Sequence, residues 1–471
     1  MWRTVCAARA SPSSTASRNP SGDDAMISVT RATATAPGYQ TARGVRKARA
    51  LPRGPGGATF RAMARATVPA DVDLTDLARY ADGPPHADFA RLRAEAPVAW
   101  HPERDGPGFW ACTRWDEVLA VSRDSATFSS WAGGTMLEDT PPPLLEMARL
   151  MMLNMDPPQH TTLRALVRTG FTPRRVAALA PRVAALSAQI VDAVAARGRC
   201  DLVTDVAGEL PSYVIAELTG IPLDDGRQLY RLTERMHTTD HTPEGQLAGA
   251  MAIGEMLTYA GGVRAEKLAR PADDIATRLV HAEVDGERLS EAEFQWFFLL
   301  LINAGGDTTR NLVGGGLRAL LLHPAELARL RAEPALLPSA VEEMLRWCSP
   351  VVHFRRTATR DVVLGGQGIA AGDKVVIFYA SANRDAAVFA DPDRFDVARA
   401  PNDHVAFGGG GAHFCLGAHL ARLEAQALVR EVLRRLDGLQ LDGPVEWLPS
   451  VFISGPRRLP VRFRPAAPRG A

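Results

Sequence analysis

A glycine-rich turn that hands a cysteine to the start of a helix constrains this chain more than any other feature. Near the C-terminus runs Phe407-Gly408-Gly409-Gly410-Gly411-Ala412-His413-Phe414-Cys415-Leu416-Gly417, and an apolar periodic segment, Leu416, Leu420, Leu423 and Leu428, follows at once. The positive end of a helix dipole and nearby backbone N–H groups stabilise a thiolate, and a soft anionic sulfur is a strong axial donor to iron. The glycines let the backbone pass close to a flat ligand. Two other uses compete with this haem-thiolate reading: a loop that cradles phosphate, and a lone cysteine serving as a small buried apolar residue. The phosphate use fails on detail, because no Lys-Ser/Thr follows the glycines and no well-formed hydrophobic strand precedes them.

The rest of the chain must supply a body for that loop. Of 471 residues, 46% are hydrophobic and 23% charged, which suits a globular protein with a large core, built as one large domain or as two or three conventional ones. A formal net charge of +1 gives no bulk attraction to nucleic acid or to an anionic membrane surface. No apolar run approaches the ~20 residues of a membrane-spanning helix; the longest, Phe297 to Ile302, runs straight into Gly305-Gly306. Five cysteines stand singly, in neither a disulfide framework nor a paired zinc pattern, so a reducing cytoplasm is expected. Residues 1–65 are rich in Ala, Ser, Thr, Gly and Arg and carry Asp23 and Asp24 as their acids. They read as a disordered or non-native extension, either an organelle transit peptide or an over-extended start with Met63 as the true beginning. Residues 66–471 read as the folded domain.

The fold class expected is mainly α with a small β region. Short strands are expected at Val98-Ala99-Trp100 and Phe109-Trp110-Ala111, then a helix from Trp115 to Arg123. Further helical patterns cover Thr161 to Val167, Arg174 to Ala196, Glu244 to Leu268, Glu291 to Leu322, Ala325 to Ala332, Ser339 to Trp347 and Gly417 to Leu436. A second strand-rich patch spans Val351 to Leu364 and Lys374 to Tyr379.

Inside the longest pattern lies Asn303-Ala304-Gly305-Gly306-Asp307-Thr308-Thr309. Gly costs roughly 1 kcal/mol against Ala in a helix interior, and Asp and Thr are also poor formers. Local rules tend to break at functional sites. The use expected is a bulge or widened turn facing the iron, with room for dioxygen at Gly305 and Gly306 and with protons and hydrogen bonds from Asp307 and Thr308. The competing use is a kink where another helix crosses closely.

The cysteine loop resembles the signature of the cytochrome P450 family, with Gly411, His413, Cys415 and Gly417 in register. Phe407 stands eight residues before Cys415 where the commonest form has seven, and one extra glycine accounts for it. The longer loop is similar to that of a bacterial subgroup that handles sterol side chains, branched lipids and terpenoids. The resemblance implies the family's fold, haem b as cofactor, Cys415 as the iron ligand, and Asp307-Thr308 as the acid and alcohol of oxygen activation. It also implies a buried ionic cluster of Glu343, Arg346 and Arg394 behind the loop. Glu343 and Arg346 lie one turn apart, a spacing shared by Glu146 and Arg149, Glu326 and Arg329, and Glu431 and Arg434, so context singles out the first pair. Haem propionates need cations, and Arg suits carboxylates by its planar fork. The family uses the pair formed here by His160 and Arg164 for a propionate; Arg356 and His413 are expected to complete the contacts.

The sequence carries no flavin or iron–sulfur domain, so the resemblance implies a ferredoxin and ferredoxin reductase drawing on NADH or NADPH, docking near Arg168, Arg174, Arg175 and Arg422. Substrate contacts are expected from Met136 to Met151, Leu229 to His241, Asn303, Val351 to Phe354 and Val451 to Ser454. Their apolar, methionine-rich character suits a terpenoid, a steroid or a branched lipid. Two other classes remain: a haem protein that senses gas or carries ligand, and a haem-thiolate isomerase or dehydratase. Asp307-Thr308 argues against both.

Overall fold

A computed structural model describes residues 65–237, 242–284 and 287–467, so the expectation for residues 1 to 64 lies outside the described part. Among the longer helices are α1 (His86–Glu95), α2 (Trp115–Arg123), α3 (Gln159–Arg168), α4 (Ala180–Ala195), α5 (Glu209–Thr219), α6 (Leu223–His237), α7 (Pro243–Ala269), α8 (Glu291–Leu322), α9 (Leu337–Cys348) and α10 (Ala418–Arg435). A five-stranded sheet holds β1 (Val98–His101), β2 (Phe109–Cys112), β3 (Phe128–Ser129), β4 (His353–Ala358) and β5 (Lys374–Phe378), in the order β1-β2-β5-β4-β3. Its β5–β2 pairing is parallel and the rest are antiparallel. The expected class, mainly α with a small β region, is the observed one.

Helix α8 is the axis of the helical layer. Ser290 accepts from the Glu293 N–H while the Glu293 carboxylate accepts from the Ser290 N–H, a reciprocal cap that sets its start. Pro324, which cannot continue a helix, follows its end at His323. Along its length α8 packs on α5, α6, α7, α9 and α10, and Phe294, Phe297, Phe298, Leu312 and Leu317 are buried in the main core. Such burial, more than intrinsic propensity, stabilises helices in proteins.

Local chemistry explains where the sequence reading and the structure part. The pattern from Arg174 to Ala196 is two helices, Pro173–Ala178 and α4, broken at Leu179 because Pro181 withholds an N–H and disfavours helix just before it. Helices α1, α5 and α6 went unread. Pro211 and Gly226 looked like breakers, yet Pro211 sits in the first turn of α5, where an N–H has no intrahelical partner to lose, and the Gly226 N–H donates to the Pro222 carbonyl at 3.1 Å at the start of α6. Gly226 also permits close approach: a Cβ there would lie 2.6 Å from the Ser212 carbonyl oxygen on α5.

Candidate active site

The cysteine loop closes on itself. The Cys415 N–H donates to the Phe407 carbonyl at 3.0 Å, and an Arg164 guanidinium N–H donates to the Phe414 carbonyl at 2.5 Å. Gly408, Gly410 and Gly411 all hold positive φ, and a Cβ on Gly411 would lie 2.3 Å from the Ser122 carbonyl oxygen of α2. The glycines therefore do two jobs, left-handed backbone and contact with a neighbouring helix. Phe407 lies tilted to Phe414 with centroids 6.5 Å apart, and the Arg422 guanidinium sits 4.5 Å above its ring.

Cys415 is exposed, yet so much protein surrounds it that burial pushes its thiol pKa up. An accessible sulfur set that deep faces an internal hollow. The backbone N–H of Gly417, at the N-terminal end of α10, and the charges of Arg164 and Arg422 pull its pKa the other way. Among the described residues no group of three or more His, Cys, Asp or Glu is placed to hold a metal ion.

Around the loop lies an excess of buried cation. Arg356 on β4 is buried, donates to the Arg355 carbonyl at 2.7 Å, and has its pKa lowered by loss of solvent. Arg164 on α3 is lowered for the same reason. Among the described residues neither pairs with a carboxylate within 4.0 Å. His160 and His413 stack obliquely with centroids 4.3 Å apart. Burial and the nearby Arg164 push His160 down to about 4; burial, Arg356, His160 and Arg164 push His413 to about 2, so both rings are neutral near pH 7. Nδ1 of His160 is buried without a partner, while Nε2 of His413 meets the Ser130 hydroxyl at 3.2 Å. A paired or bound anion is what such a set needs, because an arginine cannot escape burial by losing its proton. Two carboxylates carried on a flat group fit this requirement.

Helix α8 is unbroken across Asn303 to Thr309, so the expected bulge is absent. Packing on five neighbours outweighs the local propensity. Its two glycines serve the helix-crossing use instead. A Cβ on Gly305 would meet Ile215 of α5 at 3.2 Å, and one on Gly306 would meet Tyr230 of α6 at 3.3 Å. In mid-helix Ala304 is exposed and Thr308 half-buried, one turn apart on one face, which opens that face to a hollow. The Thr308 hydroxyl donates to the Ala304 carbonyl at 3.0 Å. Asp307 is buried on another face, 3.9 Å from Arg310, whose guanidinium pairs with Glu234 of α6 at 2.6 Å and lies 5.5 Å over Tyr230. The expected acid and alcohol are thus neighbours in sequence that serve different surroundings.

The buried ionic cluster exists, but its third member differs from the expected one. Glu343 and Arg346, both fully buried, pair at 2.8 Å. Arg399, not Arg394, completes the cluster at 3.1 Å from Glu343, and Asn402 adds a hydrogen bond of 3.1 Å. The Arg394 side chain is exposed; its carbonyl accepts from Arg346 and Arg399. The turn at Asp391-Pro392-Asp393 directs the Arg394 side chain outward, and Arg399 lies five residues on, past the Asp396 turn. Of the expected docking cations, Arg168 and Arg174 are exposed, and Arg175 is exposed 3.7 Å from Asp273. Arg422 is instead tied to Glu342 at 2.6 Å. Of the expected substrate segments, Leu229, Val352, Val451 and Ile453 are core residues, whereas Met136, Leu144 and Met147 are exposed apolar side chains; residues 238–241 lie outside the described part. Sequence reasoning missed Ser130, Arg399, Asn402, Ile215 and the Arg310–Glu234 pair, all long-range partners without a local motif.

Comparison with known proteins agrees with this geometry. The family model of cytochrome P450 matches residues 263–446. A steroid C26-monooxygenase of Mycobacterium tuberculosis is 38% identical over 425 residues, covering 86% of this chain and 97% of that protein. A methyl-branched lipid omega-hydroxylase from the same species is 40% identical over 416 residues, covering 84% and 95%. The solved structure of a Mycobacterium marinum cytochrome P450 in complex with pseudoionone superposes with a TM-score of 0.80 at 40% identity, covering 85% of this chain and all of that one. No single helix among the described residues is long and apolar enough to cross a membrane. With a deep thiol beside a helix end, buried cations awaiting carboxylates, and relatives matched over nearly their whole length, this chain belongs to the cytochrome P450 family of haem b monooxygenases.

Proposed function

We propose that this protein is a cytoplasmic monooxygenase that hydroxylates an unactivated C–H bond of a hydrophobic small molecule, a terpenoid, a steroid or a branched lipid, with electrons from a ferredoxin and its NADH- or NADPH-dependent reductase. The observation that carries the reading is the accessible yet deeply set Cys415 thiol, with the Gly417 N–H and Arg164 around it. The haem, when bound, supplies reductive activation of dioxygen. Cys415 holds its iron as a thiolate, a state that a bound metal enforces against the pull of burial. Arg164, Arg356, His160 and His413 hold the propionates, with Gly411 and Phe407 shaping the loop.

Thr308 presents its hydroxyl at the open face of α8 and moves a proton at Oγ1. Asp307, held through Arg310 and Glu234, positions that part of the helix and exchanges protons with the interior. The resemblance to relatives named for steroid and branched-lipid oxidation supports the substrate class, as do the exposed apolar Met136, Leu144 and Met147. Exposed Arg168 and Arg174 suit an acidic electron donor.

The test combines purified protein, a surrogate ferredoxin and reductase, NADH, and a panel of lipophilic compounds. Oxygen uptake matched by hydroxylated product in the wild type, lost in Cys415→Ala, is the expected result. Product formed without NADH would instead identify an isomerase or dehydratase, and ligand binding without turnover would identify a sensor or carrier.

A further inference from the structure

A second cavity, of about 210 Å³, lies apart from the cysteine loop, where the start of α1, the C-terminal quarter of α8 and the end of α9 meet the segment around Trp447 and Ser454. A cavity needs roughly 10–15 Å³ by this measure to hold one water, so the space accepts a polyatomic ligand. Two guanidiniums line it. Arg384 sits over the Trp347 indole with its central carbon 3.8 Å from the ring centroid, and Arg318 lies 5.1 Å over Trp447. Stacking occupies the face of a guanidinium and leaves the in-plane N–H groups at its edge for a planar or tetrahedral acceptor.

Each edge keeps an unsatisfied donor. Nε of Arg318 and Nε of Arg384 are buried with no hydrogen-bond partner, as are the Ser454 hydroxyl and Nδ1 of His86. Ser454 is 2% exposed and Arg384 6%, so neither meets bulk solvent. Buried polar groups in native structures are satisfied by protein, water or ligand, and four orphans on the wall of one cavity define a polar site. Its sign is positive. Arg384 is balanced by Asp393 at 2.9 Å, an exposed and therefore screened partner, while Arg318 has no ion pair among the described residues. The carboxylate among the lining residues is Asp82, which is exposed. Burial and then Arg384, Arg93 and Arg346 push His86 well below its ordinary value, so it enters as a neutral donor. Cys348 also lines the space, but burial pushes its thiol up to about 12, which rules out a thiolate nucleophile.

We propose that this cavity binds a small oxyanion of phosphate or sulfate size, free or as the terminal group of a larger metabolite, through Arg318, Arg384, Ser454 and His86. The site shares no residue with the cysteine loop or its cations. Ser454 ends the expected substrate-contact segment Val451 to Ser454, and its N–H donates to the Pro350 carbonyl beside the segment that begins at Val351.

The experiment titrates haem-loaded protein by calorimetry with inorganic phosphate and, separately, with glycerol 3-phosphate, in chloride buffer at fixed ionic strength. Saturable binding of one or both is expected. Tighter binding of the ester identifies the terminal group of a metabolite and tighter binding of inorganic phosphate the free ion; either ranking upholds the site. Arg318→Gln should weaken binding at least about tenfold and Ser454→Ala about threefold, with haem content unchanged. Should Arg318→Gln fail to fold, Arg318→Lys keeps the charge but not the fork and should still bind severalfold more weakly. No saturable heat from either compound, or wild-type affinity in the folded Arg318 variant, would overturn the proposal.

Discussion

Two buried sets of charge lie near the cysteine loop, and they are built on opposite plans. Around Glu343 the charges close on one another: Arg346 and Arg399 pair with its carboxylate, Asn402 and the Asp396 N–H fill the remaining lone pairs, and main-chain carbonyls take up the spare N–H groups of the arginines. Around Arg164 and Arg356 no carboxylate closes the set; a half-buried and a buried guanidinium and two neutral imidazoles have none within 4.0 Å among the described residues. The first set is a finished structural joint. The second is half of one, and the missing half is an anion that the polypeptide does not encode.

Four experiments break or sharpen that contrast. Glu343→Gln should have the largest effect, about 3–5 kcal/mol of lost stability, because it strands Arg346 and Arg399 in a dry interior; urea unfolding reads it as a fall in midpoint. A loss under 1 kcal/mol would show that the joint is not closed by charge.

The second experiment uses a buried acid that escapes the dilemma of the arginines. Burial raises Glu424 on α10 to about 8, and its Oε2 has no partner, so it is neutral where Arg356 must stay charged. The sign follows from linkage. Between the unfolded value near 4.5 and about 8 the unfolded chain releases this proton and the folded protein keeps it, so stability falls across that window and levels off above it. Glu424→Gln should remove a few kcal/mol of that decline, measured by unfolding at pH 5 and pH 8; parallel profiles for wild type and variant would sink the assignment.

Arg356→Leu should give opposite signs in two states. Haem-loaded protein loses a charge-assisted contact of about 1.5–3 kcal/mol, or roughly tenfold or more in haem affinity. Haem-free protein loses an uncompensated buried charge and is unchanged or more stable in thermal unfolding. Equal destabilisation of both forms would erase the distinction between the two sets. The smallest effect belongs to Arg394→Ala, within about 0.5 kcal/mol of wild type because its side chain is exposed, whereas Arg399→Ala should approach the Glu343 variant.

How much was legible follows the range of the interactions. The bounds of α8 and the short apolar runs of β1 and β2 are local patterns and could be read directly. Cys415, Arg356 and His413 carry chemistry that a motif advertises. The Glu343–Arg346 pair was separable from its look-alikes by context alone, and burial confirms the choice: Glu146 is exposed and Arg434 is half-exposed, while both members of the chosen pair meet no solvent. Arg399 and Arg310 were invisible because nothing in their neighbours marks them; each depends on a loop path or a helix contact far away in sequence. The two uses weighed for the glycines of α8 were not separable for a related reason, since only the positions of Ile215 and Tyr230 tell that they serve a helix crossing.

The direct hydrogen bond between the Cys415 amide and the Phe407 carbonyl has an evolutionary corollary. It ties the ends of the glycine loop together, so a residue gained or lost between them changes the size of a small ring without displacing the sulfur. That ring absorbs a change of length only where the packing of Gly409 and Gly411 on α2 stays intact. A residue added between Cys415 and Gly417 has no such buffer, and it would turn the helix end away from the thiol it serves.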